Sequence, residues 1–190
     1  MDASEATAVL ARARQGDSEA FRVLVEQHGR SVFRLAYRMT GNEQDAEDVV
    51  QESFLRAYRQ LGRFESRANF GTWLYRITAN CSVDLMRAKQ ARHDMTRAES
   101  LEEAADLPGT DSPTPERLAA SSEIQRRVAE ALDALSPLER AAFTLRHYEG
   151  RSIDEISRAL NLGTSAAKHS VFRAVKKLRV ALEPLRSHQP

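Results

Sequence analysis

The sequence predicts an all-α protein, two small helical domains joined by a flexible acidic linker, with a helix-turn-helix in the second. Three observations carry this expectation. Nearly every periodic stretch spaces its apolar residues by three and four, as one buried helical stripe requires, and none alternates as a half-buried strand does. That periodicity fades between about Arg92 and Ala120, where Pro108, Gly109, Pro113 and Pro115 stand among Glu99, Glu102, Glu103, Asp106, Asp111 and Glu116. It then resumes with two helix-start signatures in quick succession. The expected boundaries are 1–91 for the first domain, 92–120 for the linker and 121–190 for the second domain.

The elements follow in order. A short helix around Ala6 to Arg14 ends at Gly16, and Asp17 has the chemistry of the next N-cap. Phe21, Leu24, Val25, Val32, Leu35, Ala36 and Met39 form the stripe of a second helix, broken by Gly41-Asn42. From Ala46, a third stripe runs through Val49, Val50, Ser53, Phe54, Ala57, Tyr58 and Leu61. A fourth comprises Trp73, Leu74, Ile77, Cys81, Leu85 and Ala88. In the second domain, Ile124, Val128, Ala131, Leu132 and Leu135 precede the capping boxes Ser136-Pro137-Leu138-Glu139 and Ser152-Ile153-Asp154-Glu155. The last helix buries Ala167, Val171, Ala174, Val175, Leu178 and Leu182.

Composition narrows the function classes. With 42% hydrophobic and 29% charged residues and no long apolar run, the chain reads as a soluble protein without membrane insertion. Met1-Asp2-Ala3-Ser4-Glu5 lacks the basic flank and apolar stretch of a signal peptide, so a cytoplasmic location is expected. The single cysteine, Cys81, lies on an apolar helix face and reads as an inert buried thiol. His28, His93, His147, His169 and His188 have no ligand spacing, so neither metal nor cofactor is expected. A net charge of +1 decides nothing, because nucleic-acid binders concentrate positive charge locally.

Three surfaces stand out. The helix beginning at Ser152 is separated by Asn161-Leu162-Gly163-Thr164 from a basic amphipathic helix, the sequence form of a helix-turn-helix. Ser165, Lys168, His169, Arg173, Lys176 and Lys177 lie near the start or off the apolar face of that second helix, as a major-groove surface or as a solvated basic face. The segment Gly62 to Trp73 mixes Phe64, Phe70 and Trp73 with arginines and Asn69, ahead of a helix carrying Arg76, Asn80 and Lys89. Such a mixture suits unpaired DNA, since rings stack on bases while cations neutralise phosphates; the aromatic spacing suits core packing equally. Finally Asp48, Gln51, Glu52, Leu55 and Arg59, with Asp45 at the head, form a stripe beside the core face of the third helix. Leu55 is an apolar residue among polar ones, as an interface anchor or a lone exposed leucine.

Four ordered blocks connect these surfaces. Gly16-Asp17 with Ala20-Phe21, then Leu35 to Asn42, Asp45 to Phe54 and Trp73 to Asn80, resemble the bacterial RNA polymerase sigma factors of the extracytoplasmic-function (ECF) group in order and spacing. Leu135 to Arg140 and Arg173 to Arg179 resemble that group's promoter-reading domain. The resemblance implies a non-catalytic alternative sigma factor whose partners are core RNA polymerase, promoter DNA and an anti-sigma factor. It implies that the helix from Asp45 to Leu61 docks on the clamp helices of the largest polymerase subunit. The loop from Phe64 to Thr72 then holds a flipped base of the downstream promoter element, the last helix reads the upstream element as duplex, and the linker runs through the RNA exit path. Where many relatives have Gly-Thr-Val-Lys-Ser-Arg, this chain has Ser165-Ala166-Ala167-Lys168-His169-Ser170, so Ser170 is expected in place of a groove-facing arginine. Phe172 either touches a thymine methyl or closes the domain core, and the core reading is favoured. A plain helix-turn-helix regulator leaves the first domain without purpose. A metal-dependent enzyme using Asp45, Glu47, Asp48 and Glu52 fails because adjacent helix residues point in different directions.

Overall fold

The computed structural model describes residues 3–64, 69–99 and 126–186, and among these every regular element is helical. The first domain comprises α1 (Ala3–Arg14), α2 (Ser18–Thr40), α3 (Glu43–Gln60), a 3-10 turn (Leu61–Arg63) and α4 (Phe70–Glu99). The second comprises α5 (described over 126–133), α6 (Pro137–Phe143), a π-turn (Thr144–Tyr148), α7 (Ile153–Ala159) and α8 (Thr164–Arg186).

Local chemistry sets most of these ends. The Asp17 carboxylate accepts the Ala20 N–H at 3.0 Å and pairs with Arg12 at 2.6 Å, joining the end of α1 to the start of α2. Gly41 stops α2 at φ 86°, donating its N–H to the Tyr37 carbonyl, and Asn42 at once caps α3 by accepting the Asp45 N–H at 2.8 Å. Both predicted capping boxes form: Ser136 with Glu139, and Ser152 with Glu155. The expected first boundary at 91 falls inside a helix, because α4 continues to Glu99. Residues 87–99 include alanine, lysine, glutamine and arginine with no glycine or proline, so helix propensity persists where the apolar stripe ends. The rest of the expected linker, 100–120, lies outside the described residues.

Leu24, Val49, Phe54, Leu74 and Ile77 centre the first domain's core, and Cys81 is buried beside them as expected. Ala131, Leu135, Ala174 and Leu178 pack α5 on α8. A third cluster joins the domains: Leu35 and Met39 of α2 and Ala79 and Val83 of α4 share one core with Ala141, Leu145, Ile156 and Leu160. Each large apolar side chain buried there contributes about 1.5–3 kcal/mol. Polar contacts flank this junction, including an ion pair between Arg38 and Glu149 and the Asn80 amide donating to the Ala159 carbonyl at 2.8 Å. Arg140 of α6 passes over Gly41 so closely that a Cβ there would run into its guanidinium. Gly41 therefore serves two ends, a left-handed helix stop and the passage of the second domain's arginine.

Candidate functional site

The outward face of α3 is narrower than its sequence stripe. Asp45 is buried, with its carboxylate accepting from the Asn42 amide and paired with Lys89 of α4 at 2.5 Å. Two expected interface residues, Asp45 for polymerase and Lys89 for DNA, thus hold each other, Asp45 from inside the domain and Lys89 from its surface. Glu52 is half-buried and binds Arg56 at 2.6 Å, and Arg56 reaches on to Asp84 at 3.0 Å. These two carboxylates hold the Arg56 guanidinium well above its ordinary pKa. Asp48, Gln51, Leu55 and Arg59 remain exposed, and Tyr58, expected in the core, stands beside them at 49% exposure. Its ring meets the Phe21 ring edge-on at 4.9 Å, which places Tyr58 at the rim of the stripe.

The aromatic segment is a platform fused to the core. Phe64 and Phe70 are buried, Trp73 is half-buried, and ring centroids lie 4.9 Å apart for Phe64–Trp73 and 5.7 Å for Phe70–Trp73. His28 of α2 packs on Phe70 at 5.2 Å, and burial pushes its imidazole below the ordinary pKa. Asn69 stands exposed ahead of α4 and accepts the Thr72 N–H at 3.3 Å, while residues 65–68 lie outside the described residues. Arg76 is exposed and makes no ion pair among the described residues. Asn80 sits at the domain junction, its amide shared between the Arg76 and Ala159 carbonyls.

A cleft at that junction is lined by Trp73, Tyr75 and Arg76 from one side and Arg151, Glu155 and Arg158 from the other. Arg151 lies 4.7 Å from the centre of the Tyr75 ring, and burial pushes the Tyr75 phenol above its usual range. Neither Tyr75 nor Arg151 belonged to the sequence expectation. Their pairing joins residues far apart in the chain and leaves no local signal.

In the second domain, the Ser157 hydroxyl donates to the Leu162 carbonyl at 2.6 Å, and Asn161 takes a left-handed φ of 52°, which turns the chain sharply into α8. Ser165, Lys168, His169, Arg173 and Lys176 are exposed on that helix. Lys177 is exposed too, but it is engaged, donating to the buried Glu139 of α6 at 2.7 Å, with Arg173 3.7 Å from the same carboxylate. Burial opposes the charged form of Glu139, but Lys177 and the Ser136 N–H outweigh it and hold the carboxyl below its usual range. Two expectations need correction. Ser170 is 4% exposed and faces the core with Ala167 and Ala174, three residues before it and four after, so it replaces no groove-facing arginine. Phe172 is 66% exposed, because its helical position lies off that stripe, and the favoured core reading is overturned.

Among the described residues no helix is long and apolar enough to cross a membrane, and no cluster of metal-ligating side chains occurs. The Sigma-70 region 2 family description matches residues 24–92 and the Sigma-70 region 4 description matches residues 125–178. The ECF RNA polymerase sigma factor SigE of Mycolicibacterium smegmatis is 37% identical over 156 residues, 82% of this chain and 59% of that protein. The RNA polymerase sigma-H factor of Pseudomonas aeruginosa is 33% identical over 177 residues, 92% of each chain. Among solved structures, CnrH in complex with the cytosolic domain of CnrY is similar at a TM-score of 0.59 and 27% identity, covering 93% of this chain and 96% of that one.

Proposed function

We infer the residue-level mechanism from one premise: the chain belongs to the ECF RNA polymerase sigma factors, which are transcription initiation factors rather than enzymes. Such a protein binds core RNA polymerase and directs initiation at chosen promoters. In this chain the exposed part of the α3 stripe, Asp48, Gln51, Leu55 and Arg59, docks on the polymerase, with Leu55 as the apolar anchor. Asn69 and Arg76, flanking the Phe64–Trp73 platform, hold the melted strand of the downstream element.

The observation that carries the upstream half is the row of exposed side chains on α8: Lys168, His169, Phe172, Arg173 and Lys176. Phe172 is suited to a thymine methyl and Arg173 to a guanine or a phosphate, while Lys176 adds sequence-independent attraction. Control by an anti-sigma factor belongs to the same reading. CnrH is seen with the cytosolic domain of CnrY, which supports a protein-covered resting state in the cytoplasm for this chain.

The test is reconstitution with purified core polymerase on promoter fragments. The full chain forms a complex and starts transcription. A variant carrying Asp48→Lys, Leu55→Ala and Arg59→Glu stays folded by circular dichroism and loses affinity for the polymerase; unchanged affinity in the folded variant removes the docking face.

A further inference from the structure

The first turn of α8 fixes the hydrogen-bonding character of His169. Its Nδ1 lies 2.8 Å from the Ser165 backbone oxygen and 3.3 Å from the Ser165 hydroxyl. A carbonyl oxygen only accepts, so Nδ1 carries a proton. In the neutral ring the second nitrogen, Nε2, is then a bare acceptor. No described residue buries it: His169 is exposed, at the edge of a shallow recess framed by Gly163, Ser165, Ala166 and Arg173.

The neighbouring side chains have the opposite chemistry. Lys168 and Arg173 can only donate, and the Ser165 hydroxyl oxygen accepts from Nδ1–H, which leaves its own hydrogen to donate. In the major groove, guanine presents two acceptors and thymine presents one beside its methyl, whereas adenine and cytosine each present an exocyclic amino donor. A row of cations alone favours guanine. A neutral acceptor among them favours an amino group and is left facing another acceptor when guanine or thymine takes its place.

We propose that His169 is a specificity-determining residue that selects adenine or cytosine at one position of the upstream promoter element, accepting the base's amino hydrogen at Nε2. This rests on the reading that α8 enters the major groove. The hydroxyl-anchored ring also makes the contact geometrically fixed, since the Nδ1 bonds remove the freedom to flip the imidazole.

Two measurements decide it. The first is selection from a randomised upstream element at pH 8, using holoenzyme assembled from the full chain. Wild type enriches adenine or cytosine at one position by roughly three- to tenfold, the discrimination expected of a single base-edge hydrogen bond. His169→Ala flattens that position and leaves the others, and His169→Arg moves it to guanine. A position that responds to His169→Ala but carries guanine or thymine overturns the proposal, as does a sequence preference that no His169 variant alters. If wild-type holoenzyme shows no upstream preference at all, the reading of α8 fails and this proposal falls with it. The second measurement is the imidazole nitrogen NMR spectrum of the full chain at the same pH, assigned with His169→Gln. Protonated Nδ1 and bare Nε2 support the proposal, and a ring protonated at Nε2 overturns it.

Discussion

Phe64 and Phe172 both stand in segments expected to meet DNA, yet one is 3% exposed and the other 66%. Around Phe64 most candidate residues are tied into the protein, with Asn69 and Arg76 left exposed at the edge: Phe70 and Trp73 pack on it, Lys89 holds Asp45, and Asn80 holds the Ala159 carbonyl. Around Phe172 they stand in solvent, over a buried stripe of Ala167, Ser170 and Ala174. The difference teaches how each kind of target sets its reader. An unpaired strand is floppy, so its ordering cost falls when it meets rings already held in place. A duplex is rigid and its base edges lie deep in a groove, so its reader needs side chains free to reach.

The most severe way to test this contrast is to truncate both rings. Phe64→Ala should cost about 3–5 kcal/mol in urea unfolding, as buried phenylalanines do, and should abolish promoter opening. Phe172→Ala should stay within about 0.5 kcal/mol of wild type, as exposed positions do, while changing the selected upstream sequence. A large stability loss from Phe172→Ala would place that ring in the core after all.

A second test separates platform from edge. Asn69→Ala and Arg76→Ala should each lower initiation on closed duplex promoters about tenfold, equivalent to 1.4 kcal/mol, and much less on templates with a preformed bubble. Equal losses on both templates would make these residues general binding or folding contributors.

Smaller effects sharpen the comparison within α8. Lys177→Ala should cost about 1 kcal/mol of stability, because it strips Glu139 of its charge-assisted partner. Lys176→Ala should leave stability unchanged and flatten the salt dependence of promoter binding by about one unit of slope, as loss of one phosphate contact does. Parallel denaturation and salt titrations distinguish the two.

The smallest expected effect is a pH dependence from Glu139. Its folded carboxyl lies below its ordinary value of 4.5, so it contributes stability that is complete above that value and lost as pH falls through the folded value. Thermal unfolding between pH 6 and 3 should show wild type losing stability that Glu139→Gln does not lose. Parallel pH curves would mean that Lys177 and the cap contribute nothing through charge.

Much of the fold was legible residue by residue. Asp17, Asn42, Ser136 and Ser152 act on N–H groups two or three positions ahead, and the stripe spacing reports which side of each helix is buried, so both are written in consecutive residues. The exposed α3 residues and the basic row of α8 were legible for the same reason. Two positions on α8 differ: the family pattern places Ser170 outward and size places Phe172 inward, though helical position outweighs both.

What the sequence by itself determined is therefore the set of helices, their caps and the class of side chain each one shows. Tertiary structure alone decided which of those side chains are already engaged. Asp45 with Lys89, Arg38 with Glu149, Asn80 with Ala159 and Arg151 with Tyr75 join residues dozens of positions apart, up to 111 for Arg38 and Glu149. A polar residue occupies the same place on its helix whether it faces water, DNA or a distant partner. Helical periodicity sets only its direction, and the packing of one helix on another supplies what it meets.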